Sequence, residues 1–376
     1  MDKYYDVIII GGGVIGGAVA YYLSKRGYKI LIVEKSAVAS EASKAAAGLL
    51  GVQAEWKEYD PLFELARQSR SLFPELAEEL REITGIDIGY EEKGIYKIAQ
   101  SEEEVGELLQ SMRWQQETGE EAYFLNIEML KEKEPYLASS LAGAVYYPKD
   151  GHVIAPSLSK AFLHSAGHCG ADIVEHTAVQ DIIIEKGRVK GVRTEAGSIF
   201  TEKVIITAGA WSTLFLQLFQ KEWGTFPVKG EMLSVTSHVP LLAAPVFQEG
   251  FYIVPKRENR YLIGATVIPK VYDKAVEAQN IVSLLERAKS ILPAIGEVKW
   301  EAVWAGLRPQ SNHGMPYMGK HHEIVGLYAC TGHYRNGILL SPISGKFMTD
   351  LIEGKRENKL IHSLFNSGGG ISAFTN

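Results

Sequence analysis

The sequence predicts an α/β nucleotide-binding domain joined to an α+β domain, the second built on a mixed, mainly antiparallel sheet. Three observations predict it. A β-branched run, Val7 to Ile10, opens directly into glycines at 11, 13 and 16. A second apolar run, Lys29 to Val33, delivers Glu34. Much later, from Phe226 to Thr266, short runs rich in Val, Ile, Phe and Tyr alternate with turns, the pattern of sheet strands. At 376 residues the chain exceeds one ordinary core, which also calls for two domains.

The N-terminal element is Rossmann-like. Gly11, Gly13 and Gly16 have the G-x-G-x-x-G spacing: a sharp turn, a backbone that a pyrophosphate can approach, and close helix–strand packing. The helix after them spans about Val14 to Arg26 and stops at Gly27. Glu34 can accept the ribose hydroxyls of an adenosine, and its charge repels a 2′-phosphate. This motif does not by itself separate FAD from NAD. The small-residue stretch from Ser36 to Gly51 opens a helix near Ser43 and lets a flat or extended ligand lie close to the backbone. Glu55 is a candidate pocket residue.

Asp60 and Pro61 start a helix as N-cap and N1 residue. Its apolar period runs to about Ile83, with a kink at Pro74 and an end at Gly85. Ile86 to Tyr90 and Gly94 to Ile98 read as strands. Ser101 and Glu104 form a capping box for the next helix, which ends near Trp114. Leu141 to Tyr147 is a strand, and about Pro156 to Cys169 a helix. Asp172 to Glu175, Val179 to Glu185 and Arg188 to Thr194 are expected to form a three-strand meander. Lys203 to Thr207 returns to the nucleotide sheet and ends at Gly209, a second point of close approach; paired with the first motif, it points to FAD rather than NAD. A helix spans about Val276 to Leu292. Val303 to Pro309 is expected to return to the first domain, and the final helix starts after Gly332 and runs to about Ile352. Its N-terminus offers free amides to a developing anion.

Composition excludes several classes. Hydrophobic residues make 46% of the chain and charged residues 22%, as in a globular protein, and the net charge of −6 is scattered over both signs. No basic stripe points to nucleic acid and no polybasic cluster to a membrane. No signal peptide is expected at the N-terminus, and the apolar runs are too short to span a bilayer. Cys169 and Cys330 are the only cysteines and form no framework, which suits the cytoplasm. No metal site is expected: His164 and His168 are spaced i, i+4 with Cys169 adjacent, but the ligands that would complete a site are not near them in sequence.

Taken together, several motifs resemble the glycine oxidase, D-amino acid oxidase and sarcosine oxidase family of FAD amine oxidoreductases. They are Gly11 to Gly16 with Glu34, Ala45 to Gly51, Thr207 to Trp211, Tyr252 to Pro255, Trp304 to Pro309 and Gly332 to Gly337. They span nearly the whole chain in the family's order, and the last two are the most specific. The resemblance implies that Arg308 grips the substrate carboxylate, that Tyr252 hydrogen-bonds it, and that Arg335 lies at both substrate and flavin. Gly51 and Glu55 join them at the substrate. Val14, Ile15, Glu34, Lys35, Ala42, Ser43, Ala47, Gly48, Leu49 and Val179 would contact FAD, as would His333, Tyr334, Arg335, Asn336, Gly337, Ile338 and Leu339. Related sarcosine oxidases tether flavin through a cysteine after the strand of the substrate arginine. None lies between Ser311 and Gly319 here, so FAD is expected without a covalent link.

The implied activity is oxidation of glycine, sarcosine or small D-amino acids by hydride transfer, with dioxygen as acceptor. From glycine the products are glyoxylate, ammonia and hydrogen peroxide, with a place in making the thiamine thiazole. The rival readings are an oxidase for sarcosine or a larger D-amino acid, a dehydrogenase of the same fold that passes electrons to a quinone, and a non-catalytic flavin-binding redox module. The resemblance also implies a homotetramer. The expected FAD-binding domain comprises 1–85, 141–225 and 301–365, the substrate domain 86–140 and 226–300, and the tail 366–376.

Overall fold

The computed structural model describes residues 4–355. The expected tail and residues 356–365 lie outside them. A six-stranded sheet has the order Tyr317–Lys320, Leu327–Thr331, Val204–Ile206, Val7–Ile10, Ile30–Val33, Asp172–Val174. All neighbours are parallel except the edge pair of 317–320 with 327–331. Side chains alternate between two cores, as a strand's period of two requires. Val7, Ile9, Ile30, Ile32 and Ile205 face the helices Val14–Ser24, Ala155–His168 and Gly337–Ile352. Ile8, Ile10, Leu31, Val33, Val204 and Ile206 face the small antiparallel sheet of Val179–Glu185, Arg188–Thr194 and Gly197–Phe200. Each such residue is essentially inaccessible, a contribution of roughly 1.5–3 kcal/mol per side chain relative to exposure.

The nine-stranded sheet is mixed but mainly antiparallel. Its strands run in the order Lys299–Ser311, Thr225–Thr236, then Arg260–Gly264 together with Ile268–Pro269, Phe251–Lys256, Val246–Gln248, Ile95–Ala99, Gly143–Tyr147 and Tyr123–Leu125. Only the pairing of 246–248 with 95–99 is parallel. The helix Ala278–Ile291 covers one face through Ile281, Leu284, Ala288 and Ile291.

Several elements differ from expectation, each for a physical reason. The long helix after Asp60 is two helices, Pro61–Arg70 and Phe73–Thr84. Pro74 has no N–H for the carbonyl of residue 70 and its ring would clash there, so the first helix stops at Arg70. Ile86 to Tyr90 is not a strand: Asp87 accepts from the Gly89 amide at 2.8 Å and Gly89 has φ +60°, which turns the chain. Asp172–Val174 pairs with Leu31–Val33 in the parallel sheet, and His176 at φ +54° turns the chain away before the meander. Gly197–Phe200 supplies the meander's third strand instead. The Lys299–Ser311 strand, carrying Arg308, lies along Thr225–Thr236 for its whole length and so belongs to the large sheet, as does Gly143–Tyr147.

Candidate active site

One cavity of ≈ 360 Å³ runs from the glycine turn at Gly11 to Arg308 on the large sheet. Its nucleotide end is made of backbone. Gly11 has φ +108°, and a Cβ there would lie 2.7 Å from the Thr207 carbonyl oxygen. A Cβ on Gly16 would lie 2.0 Å from the Gly11 carbonyl, so Gly16 packs the helix onto the turn and does not line the cavity. Thr207 Oγ1 donates to the carbonyls of Ile10 and Gly11, both at 2.9 Å, and ties the returning strand to the turn. The Val14 amide, at the start of the first helix, donates to Ser43 Oγ at 2.9 Å. Glu34 is buried; its carboxylate accepts from Gly12 N at 2.8 Å and Ser36 N at 2.9 Å, and it still lines the cavity.

The middle of the cavity is closed by contacts between the two sheets. Trp304 Nε1 donates to the Ala45 carbonyl at 3.1 Å. A Cβ on Gly306 would meet the Ala45 methyl at 2.5 Å, so this glycine sets how closely the large sheet approaches the small-residue stretch. Leu49 and Leu50 pair with His152 and Gly151 in a short antiparallel ribbon. Lys256 donates to the Val153 carbonyl at 2.9 Å and packs 3.2 Å from His152 Nδ1. Burial lowers the Lys256 pKa to about 7.

At the substrate end, side chains take over. Arg308 projects over the neighbouring strand, with its guanidinium against Gly230, and its Nη1 donates to the Thr266 carbonyl at 3.1 Å. Among the described residues no carboxylate forms a salt bridge with it. Tyr252 Oη faces Met232 Sδ at 3.4 Å. Burial raises the Tyr252 pKa against the opposing charges of Arg308 and Arg335, so the phenol keeps its proton. Arg335 Nε lies 3.4 Å from Glu55 Oε2, and this carboxylate raises the Arg335 pKa.

Glu55 is held by a buried network. Asp150 accepts from the amides of Gln53 at 2.9 Å and Ala54 at 3.0 Å and from Arg70 Nη1 at 2.8 Å. Arg70 Nη2 reaches Glu120 at 2.7 Å. These bonds fix the short helix Val52–Glu55 that presents Glu55. Burial raises the Asp150 pKa to about 6.

Of the residues singled out in the sequence, Gly11, Gly13, Val14, Ile15, Glu34, Lys35, Ala42, Ser43, Ala47, Gly48, Leu49, Gly51, Glu55, Val179, Gly209, Tyr252 and Arg308 line this cavity, as do His333, Tyr334, Arg335, Asn336, Gly337 and Ile338. Leu339 does not: it sits in the helix-side core, where its carbonyl accepts the Ser69 hydroxyl at 2.6 Å. His333 is buried with Nε2 3.0 Å from Ser344 Oγ, and burial lowers its pKa to about 3, which keeps it neutral. Sequence reasoning missed Gly230, Met232 and Thr266. An isolated glycine within a strand, here between Lys229 and Glu231, is the signal that could have found the first. It also missed the individual role of Trp211, whose ring lies 3.2 Å beneath Lys35 Nζ.

The FAD dependent oxidoreductase family, DAO, matches residues 6–351. A glycine oxidase of Geobacillus kaustophilus is 46% identical over 358 residues, covering 94% of each chain. The crystal structure of a glycine oxidase from Bacillus cereus ATCC 14579 superposes with a TM-score of 0.93 at 63% identity, covering 96% of this chain and 98% of that one. A bifunctional ThiO/ThiG protein of Trichormus variabilis is 33% identical over 95% of this chain and 54% of its own length.

Proposed function

The chain belongs to the DAO family of FAD dependent oxidoreductases, and on that premise we propose that it is a glycine oxidase. The reaction is glycine, water and dioxygen to glyoxylate, ammonia and hydrogen peroxide, with sarcosine and small D-amino acids as further substrates. One observation carries the reading: Arg308 faces the cavity without an acidic partner among the described residues. A half-buried guanidinium so placed is completed by a carboxylate, which it can hold bidentately.

FAD fits the nucleotide end. The glycine turn puts no side chain of its own at the first helix's N-terminus, where only the small Ser43 hydroxyl meets the Val14 amide, which suits a pyrophosphate, and Glu34 stands at the tip of the second strand for the ribose. Ser43, Ala47 to Leu49, Val179 and His333 to Ile338 would hold the rest. When bound, the flavin supplies the hydride acceptor and the reaction with dioxygen. The chain's own residues orient the substrate. Arg308 and the protonated Tyr252 hydroxyl fix the carboxylate, and so the Cα–H bond. Met232 and Leu49 are apolar walls there. No side chain is assigned as a base at Cα, because the amine enters neutral. Cys330 lines the cavity, but burial raises its thiol pKa far above neutrality. Burial disfavours its thiolate, which supports a cofactor held without a covalent bond.

An apolar wall separates substrates differing by one methylene by only about 1–3 kcal/mol, so overlap among small amines is expected. The sheet memberships suggest a nucleotide-binding part of 4–85, 151–224 and 312–355 and a substrate part of 86–150 and 225–311. We place the enzyme in the cytoplasm as a homotetramer, able to supply a thiazole-forming step. Among the described residues no helix is long and apolar enough to cross a membrane. Peroxide release with glycine, sarcosine, D-alanine and D-proline tests the assignment. Absence of peroxide with all four would remove it, and acid precipitation that leaves yellow colour in the pellet would remove the non-covalent flavin.

A further inference from the structure

We propose that Gly230 is a positioning residue for carboxylate recognition: its missing side chain is the seat in which the Arg308 guanidinium lies. A Cβ built on Gly230 would lie 2.3 Å from Nη2, 2.4 Å from Nη1 and 2.5 Å from Cζ of Arg308. All three distances are far inside van der Waals contact, so the guanidinium occupies the space that a side chain at 230 would fill. The pairing explains why. Arg308 stands opposite Val228, and Gly230 stands opposite Gly306, two residues back along the arginine's own strand. The arginine side chain leans along the sheet into the space Gly230 leaves, while the space at Gly306 is taken by the Ala45 methyl.

Thr266 fixes the other coordinate. Its carbonyl accepts Nη1 at 3.1 Å, and its hydroxyl accepts the Glu231 amide at 2.8 Å, next to Gly230. The guanidinium is thus seated against Gly230 and tied at Nη1 by a carbonyl. Tyr252 also faces the guanidinium, so the carboxylate is received by the N–H groups beside that phenol.

The clash that a methyl at 230 creates falls on the end of a flexible side chain, not on backbone. The fold can relieve it by swinging Arg308 away. The cost therefore appears in recognition rather than in stability. A displacement on the order of 1 Å at such a clamp is enough to cost roughly a hundredfold in catalytic efficiency.

This inference rests on the reading of Arg308 as the carboxylate anchor, and the test separates the two. Acetate, a carboxylate without the amine, is used as an inhibitor of glycine turnover by the holoenzymes of wild type, Gly230→Ala and Arg308→Lys. Gly230→Ala is expected to keep its flavin content and melting temperature, while KM for glycine and Ki for acetate rise in parallel by roughly tenfold or more. A merely structural role would instead lower flavin content and melting temperature together. If Ki rises in Arg308→Lys but stays within about twofold of wild type in Gly230→Ala, the seat is disproved and the anchor survives. If neither variant changes Ki, the anchor itself is wrong. Should Gly230→Ala fail to take up flavin, a crystal of wild type with acetate decides. The guanidinium face on the Gly230 Cα with acetate on its N–H edge supports the proposal, and a guanidinium lifted off that strand overturns it.

Discussion

The two ends of the cavity are made differently. The nucleotide end is backbone: a glycine turn, a helix N-terminus and an acid pinned by amides, most of it within residues 7 to 43. The substrate end is side chains gathered from Glu55, Tyr252, Arg308 and Arg335, separated by up to most of the chain's length. A backbone site is lost when volume is added where its amides and carbonyls pack, whereas a side-chain site is lost when one charged group is removed while the cofactor cradle stays intact. The difference predicts which substitutions abolish cofactor uptake and which leave a coloured but inactive protein.

The largest expected effect is at the substrate end. Arg308→Ala should keep the flavin spectrum while losing about 2–5 kcal/mol in kcat/KM for glycine, the scale for truncating one partner of a desolvated charge pair. Steady-state kinetics read it, and a near-normal KM would break the contrast outright. Next comes Gly16→Ala at the nucleotide end. The added methyl meets a backbone oxygen that cannot move aside, at an expected cost of about 1–3 kcal/mol. Flavin content after purification should fall, with residual turnover proportional to the flavin retained. Glu55→Gln is milder. The pair with Arg335 is partly solvated, so a shift of about 1 kcal/mol or less is expected, seen as a change in KM of under tenfold.

The last effect is read in stability rather than turnover, at the buried amine that donates to the Val153 carbonyl. Burial holds Lys256 near pKa 7 in the fold, against an ordinary value of 10.5 when unfolded. Between those values the unfolded chain binds the extra proton, so folding stability rises as pH increases from about 7 toward 10. Melting curves of wild type and Lys256→Met at several pH values check the sign: wild type should gain on the variant as pH rises through that window. A constant difference would show that the amine is not desolvated.

What the sequence made legible follows the same division. Gly11, Gly13, Gly16 and Glu34 could be read because their geometry is local: turn, helix and acid are set by near neighbours. Arg308 and Tyr252 carry no such local signature. Only likeness to a family drew attention to them, and the segment carrying Arg308, expected to return to the first domain, instead pairs along 225–236. Pairing of 299–311 with 225–236 is a long-range choice that β-branched composition does not dictate. Gly230 was overlooked because its role depends on a side chain attached seventy-eight positions later, a separation fixed only by the sheet register. Pro74 was noticed, but its consequence was read as a kink instead of a break. The first helix could end cleanly because Ser71 and Leu72 find their own carbonyl partners, Arg67 at 3.1 Å and Ser69 at 3.1 Å.

The bonds made by Glu34 bear on any attempt to redesign this enzyme for a different nucleotide. Its carboxylate is a peg for the glycine turn as much as a reader of the sugar, since one oxygen is occupied by Gly12 N and the other by Ser36 N. Swapping it for a cation, the obvious way to court a phosphorylated ribose, would release both amides and reverse the charge beside them. A successful exchange must therefore rebuild the turn from Gly11 to Gly13 and the segment through Ser36 in the same step.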